Sequence, residues 1–214
     1  MTCSREEETR RLASQTLRAT IEWSYDLLHV EEKRLFARIS VFSGGCTLEA
    51  TEEVADANLD TLQSLVDKSL LRRSDDRFWS LETIREFAAE RLDRAREAEE
   101  IERRHAEYFL VFAEEAEPHL FGREESGAWL DRVGREHDNL LAALDHLQAS
   151  GETELALRLT GAVWTFWRDK AHFAEGRRRL ESALQADQHP TAARAKGLNA
   201  AASMAGLSGD AATG

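Results

Sequence analysis

Proline is nearly absent from this chain. Only Pro118 and Pro190 occur in 214 residues, so little stops long helices from forming. The apolar residues bear this out, because they recur at helical spacing. Leu17, Ile21, Tyr25 and Leu28 lie on one helical face, and Leu35, Phe36, Ile39 and Phe42 on a second. Gly44-Gly45 is a stop, since glycine readily takes the positive φ of a helix C-terminus. Thr47 and Asn58 are placed to cap two further helices. The first of these carries Leu48 and Val54, and the second carries Leu59, Leu62, Leu65, Val66 and Leu70 inward. Arg72-Arg73, a polar Ser74-Asp75-Asp76 turn and Arg77-Phe78-Trp79 predict a two-stranded hairpin. This runs directly into a helix with Leu81, Ile84, Ala88 and Leu92 on one face.

Beyond Leu92 only helices are predicted. A long charged helix carries Ile101, His105, Tyr108 and Phe112 and is expected to break at Pro118 and Gly122. One helix is expected over 125–149, a helix pair over 153–168 and 173–186, and a last helix over roughly 191–207. The fold class is mainly α: a winged-helix domain with a small β-hairpin, then an α-helical solenoid segment. The expected division is 1–11 disordered, 12–93 winged helix, 94–152 connecting helices and 153–214 repeats.

Composition narrows the function classes. No apolar run approaches the roughly 20 residues that span a bilayer. The N-terminal MTCSREEETRR is too polar for a secretory leader, so a cytoplasmic location is expected. Cys3 and Cys46 are too few for a disulfide framework or a zinc site. A formal charge of −12 repels phosphate unless a local basic patch prevails. Lys68, Arg72, Arg73 and Arg77 are the candidate patch, with Asp60, Asp67, Asp75 and Asp76 among them. Glu107, Glu114, Glu115 and Glu117 are dense, but no nucleophile–base set accompanies them, and a glutamate-rich helix face is ordinarily solvated. No enzymatic function and no cofactor are expected.

Several separated segments agree in order with one family. TLRATIEWSYDLL, LFARISVFSGGCTLEA, LQSLVDKSLL, FWSLETIREFAAERL and HAEYFLVFAEEAEPHL resemble bacterial STAND-type ATPase regulators of the LuxR- and SARP-like kind. AHFAEGRRRLESAL resembles the second half of a tetratricopeptide repeat, with Phe173, Gly176, Leu180 and Ala183 at its aromatic, small, large and small positions. SGDAATG (208–214) resembles the same turn of a following repeat, with Ala211 in place of the aromatic.

The resemblance implies a P-loop ATPase module in cis, a winged helix that closes over nucleotide, and repeats that receive a signal through a protein partner. This sequence has no G-x-x-x-x-G-K-[ST] motif. It therefore reads as a non-catalytic regulatory fragment or truncated member. The family's phosphate-contacting motif falls on Leu81, Glu82 and Thr83, where an acidic Glu82 would repel phosphate. Glu82 and Thr83 are instead expected to favour a helix N-terminus, making 77–92 a packing joint. The alternative function is a DNA-binding winged helix that uses helix 58–71 and the hairpin. Trp164, Trp167 and Phe173 would either line a partner groove or fill the space between paired helices.

Overall fold

The computed structural model describes residues 16–121, 126–170, 172–186 and 188–207. The expected disorder of 1–11 and the repeat turn at 208–214 lie outside the described residues. The chain divides into two compact units, Met1–Ile101 and Glu102–Gly214.

In the first unit, helix α1 (16–26) precedes α2 (Val30–Arg38) and a 3-10 turn (Ile39–Val41). Then follow β1 (Cys46–Thr47), α3 (Leu48–Ala55), α4 (Leu59–Asp67), β2 (Arg72–Ser74), β3 (Arg77–Trp79) and α5 (Glu82–Ala95). The sheet has three strands in the order β1-β3-β2, all antiparallel. Helix–strand–helix–helix–strand–strand with that strand order is a winged-helix arrangement. The expected hairpin is present, and β1 is added to it: Cys46 pairs with Phe78 and Thr47 with Arg77. Gly45 makes this pairing possible. It sits at φ +90, and a Cβ there would come within 2.7 Å of the Phe78 carbonyl.

Both expected caps form. Thr47 Oγ1 accepts the Ala50 amide at 3.2 Å, and Asn58 Oδ1 accepts the Thr61 amide at 2.8 Å. Each such cap stabilises its helix by about 1 kcal/mol. Helix α4 is shorter than expected, because Ser69, next to its C-cap Lys68, takes φ 60. Leu17 and Leu59, expected inward, are exposed. The core instead gathers Ile21, Phe36, Leu62, Leu65, Phe78 and Phe87. The Tyr25 ring lies 5.6 Å from both Phe36, at a tilt, and Phe87, edge to face, which ties α1 to α2 and α5. Arg91 covers this cluster, 4.3 Å from the Phe87 centroid.

The helix α6 (Ala98–Leu120) follows after a turn at Arg96, whose φ is 60. Pro118 lies inside its last turn, and the helix ends two residues later, at Leu120. The second unit continues with α7 (Ser126–Arg135), α8 (His137–Ala149), α9 (Thr153–Asp169), α10 (Phe173–Ala186) and α11 (Ala192–Leu207). The single helix expected over 125–149 is two, separated at Glu136.

All the described elements of this unit are helices. Helices α9, α10 and α11 pack on one another, and α8 packs on α9. In helix α11, Leu198 is exposed, while Ala193, Ala200 and Met204 are buried. Gly197 approaches Leu184, Leu157 and Leu180 closely. Gly176 brings α10 against Trp167 of α9 in the same way, since a Cβ there would lie 2.8 Å from three Trp167 carbons.

Two substitutions test these backbone and packing constraints. Gly176→Ala gains up to about 1 kcal/mol of helix propensity but overpacks Trp167, which costs about 1–3 kcal/mol. A net fall in the urea midpoint is expected. Arg96→Gly relieves a left-handed residue, and a rise of about 0.5–1 kcal/mol is expected in the same measurement.

Candidate interaction site

The four basic residues singled out from the sequence do not form one patch. Cross-strand partners share a sheet face, so Arg73 lies with Phe78 on one face and Arg72 with Trp79 on the other. Arg72 lies over the Trp79 ring at 5.1 Å and Arg73 over the Phe78 ring at 5.5 Å. Arg77 donates to the Gly45 carbonyl at 3.0 Å, which fastens β3 to the turn before β1. Lys68, directly after α4, is bound to the buried carboxylate of Glu32 on α2.

Glu32 is a residue that sequence reasoning missed. Its carboxylate receives the His29 amide at 2.7 Å, the Ser64 hydroxyl and the Lys68 ammonium. Burial alone would raise its pKa. The hydrogen bonds from Lys68, Ser64 and the His29 amide prevail and hold it at about 2. The sequence signal was there: His29 followed three residues later by Glu32 is the spacing of a capping box. The same bond supplies an N-terminal cap to α2.

The surface that would enter a DNA groove is acidic. On α4 the exposed residues are Asn58, Leu59, Asp60, Gln63 and Asp67. Gln63 donates to Asp67 at 2.8 Å. The hairpin tip is Asp75-Asp76, also exposed.

At the strand–helix joint, Leu81 is the N-cap of α5 and its side chain supplies no cap bond. Glu82 is the first residue of α5, the helix N-terminus expected for it, and it pairs with Arg85 at 2.6 and 3.0 Å. The hydrogen bonds from Arg85 lower the Glu82 pKa against a smaller effect of burial. Arg85 also donates to the Ser40 carbonyl at 3.2 Å, holding α5 to the 3-10 turn. A cavity of about 160 Å³ lies beside the pair, lined by Phe42, Gly45, Phe78 and Trp79 among others.

In the second unit the aromatic candidates separate. Trp167 is 1% exposed and Trp164 8%, so these two fill the interior between helices and offer no groove wall. Phe173 is half-buried at the start of α10. Two of the dense glutamates are paired across helices, Glu114 with Arg158 at 2.7 and 2.8 Å and Glu117 with Lys196, while Glu107 pairs with Arg103 within α6. His105 is buried with Asn139 3.4 Å away, and burial lowers its pKa to about 4. Among the described residues no group of three or more potential ligands could hold a metal ion. Among them, too, no helix is long and apolar enough to cross a membrane.

Comparison with known proteins places this chain beside regulators of transcription. A Mycobacterium tuberculosis protein named "Putative HTH-type transcriptional regulator" is 35% identical over 201 residues, covering 86% of the chain. Its Mycobacterium bovis counterpart matches to the same extent. An uncharacterized protein of Mycobacterium tuberculosis is 32% identical over 99 residues, covering 41% of the chain and 25% of that protein. The chain spans 22% of the length of the named regulators. No family model and no solved structure matches it.

The Glu32–Lys68 pair yields a test. Lys68→Ala leaves a buried carboxylate with one partner fewer, and a loss of about 1–3 kcal/mol of stability is expected by urea denaturation. Because the Glu32 pKa is depressed, its stabilising share is full above its ordinary value and is lost as pH falls toward about 2. In the variant that acid dependence should flatten.

Proposed function

We propose that the chain is a non-catalytic regulatory module of a STAND-type transcriptional regulator, acting through protein contacts. The observation that carries this reading is the winged helix whose groove-facing surface is acidic and two of whose four candidate cations are engaged within the fold. Lys68 is held by Glu32 and Arg77 by a backbone carbonyl. The similarity to transcriptional regulators over most of the chain supports the regulatory role. The close approach of α10 to α9 at Gly176 supports the tetratricopeptide-like reading of the repeats. Exposed Trp23 on α1, Leu27 in the turn after it and Val30 at the start of α2 are in keeping with contact to protein. In this reading the strand–helix joint is structural, since Glu82 and Arg85 satisfy each other where a phosphate would need free donors.

The second reading is DNA binding by the winged helix. It is favoured by the HTH-type name of the relatives and by the exposure of Arg72 and Arg73. The two readings differ in a measurable slope. Two phosphate contacts would give log K against log salt a slope of about −2. We expect no sequence to be enriched in a duplex selection at physiological salt. Enrichment of one sequence, with its slope abolished by Arg72→Ala and Arg73→Ala together, would overturn the module reading. Calorimetric titration with ATP and ADP should show no micromolar binding, because no run of backbone amides with a lysine is present to cradle phosphates.

A further inference from the structure

In the second unit the start of α8, the end of α9 and the turn before α10 converge on one histidine. The imidazole Nε2 of His137 accepts the indole Nε1–H of Trp167 at 3.3 Å. The same ring stacks on His172, with centroids 4.7 Å apart and planes 28° apart. It also lies 5.4 Å from Phe166. The His172 amide donates to the Trp167 carbonyl, and its own carbonyl accepts the Gly176 amide, each at 2.9 Å. An open cleft of about 470 Å³ leads from solvent to this cluster.

We propose that His137 is a proton-sensitive latch: neutral, it holds Trp167 and His172 together across α8, α9 and α10, and protonation releases them. The reason is the donor–acceptor identity of imidazole. A neutral ring that accepts at Nε2 carries its proton on Nδ1, whereas an imidazolium donates at both nitrogens. The added proton must therefore sit on the atom that receives the Trp167 N–H. Two donors then face each other, and Trp167, at 1% exposure, has no water to turn to. The new charge also falls against the His172 ring.

The surrounding charges are mixed. Asp138 on α8 and Glu175 on α10 favour the imidazolium, while Arg179 on α10 opposes it. Asp131 and Arg135 on α7 and Lys170 after α9 line the cleft, with Lys170 held by Asp131 at 3.0 Å. Burial, then His172, lowers the His137 pKa below the ordinary histidine value. A base with a depressed pKa contributes its full stabilisation above the unfolded value and loses it as pH falls through the folded one. The latch is therefore closed at neutral pH and opens on acidification.

The test is a pH series by NMR on the full chain, with its five tryptophans labelled at the indole nitrogen. As pH falls from about 7.5 through the depressed His137 pKa, with acidification continued until the His137 ring shifts report its protonation, protection of the Trp167 indole proton against exchange should fall by about tenfold or more. His137→Gln keeps an acceptor for the indole but cannot titrate, so its protection should stay constant. His105→Asn removes the other depressed histidine and should leave the Trp167 response in place. Constant protection in the unaltered chain, or an unchanged response in His137→Gln, would overturn the latch. Should His137→Gln not fold, the nitrogen shifts of His137 in the unaltered chain decide alone. A proton on Nδ1 at neutral pH supports the latch, and a proton on Nε2 overturns it.

Discussion

The winged-helix unit is organised around the buried guanidinium of Arg38. It lies at the end of α2 and is 5% exposed. A charge so placed is tolerable only when its donors are all directed at acceptors. Arg38 reaches the Glu97 carboxylate at 2.6 Å, the Ala55 carbonyl at 3.3 Å and the Asp56 carboxylate. These acceptors come from the turn before α6 and from the end of α3. One side chain thus fixes three chain segments that are far apart in sequence, and a missing partner would leave a buried charge unpaired. Asp56 helps by taking a left-handed conformation, φ 55, at the end of α3.

The same economy governs the other cations of this unit. Arg18 pairs with Glu90, Arg91 with Glu22, Arg85 with Glu82 and Lys68 with Glu32. Apart from the buried Lys68–Glu32 pair, exposed pairs of this kind contribute less than about 1 kcal/mol each, so their importance here is not mainly energetic. They remove positive charge from the set that could neutralise a phosphate backbone. Net charge alone hinted at this; the structure adds that Lys68 and Arg77 of the local basic cluster are engaged within the fold, while Arg72 and Arg73 are exposed.

Much of the helical pattern was legible, because caps and periodicity are local. Thr47 and Asn58 cap where the sequence implies. The helix ends were less legible, for a specific reason. Ser69, Arg96 and Gly151 each follow a helix with positive φ. Around each, the amide of the next residue returns to the carbonyl five positions back, Leu70 to Leu65, Glu97 to Leu92 and Glu152 to Leu147. This is the Schellman arrangement, which glycine usually serves. Only Gly151 announces it; at Ser69 and Arg96 the tertiary context imposes a conformation the residue does not favour. Strand β1 was hidden because two residues cannot display an alternation of period two. The separation of α7 from α8 at Glu136 carries no proline and so left no mark.

The candidate site was legible as residue types and not as geometry. Lys68, Arg72, Arg73 and Arg77 are close in sequence, yet strand alternation sends Arg72 and Arg73 to opposite faces. Trp164 and Trp167 are three apart, a spacing that puts both on one side of α9. Whether that side faces a groove or a neighbouring helix depends on Gly176, twelve residues away from Trp164. A residue larger than glycine there would hold α10 off and leave the Trp167 ring standing at a surface. With glycine, the helices close and Trp167 becomes core, which in turn buries its indole N–H and makes an acceptor obligatory. His137 is that acceptor. A small residue on α10 therefore determines why a histidine is needed at the start of α8, and the proton sensitivity of that joint follows from packing alone.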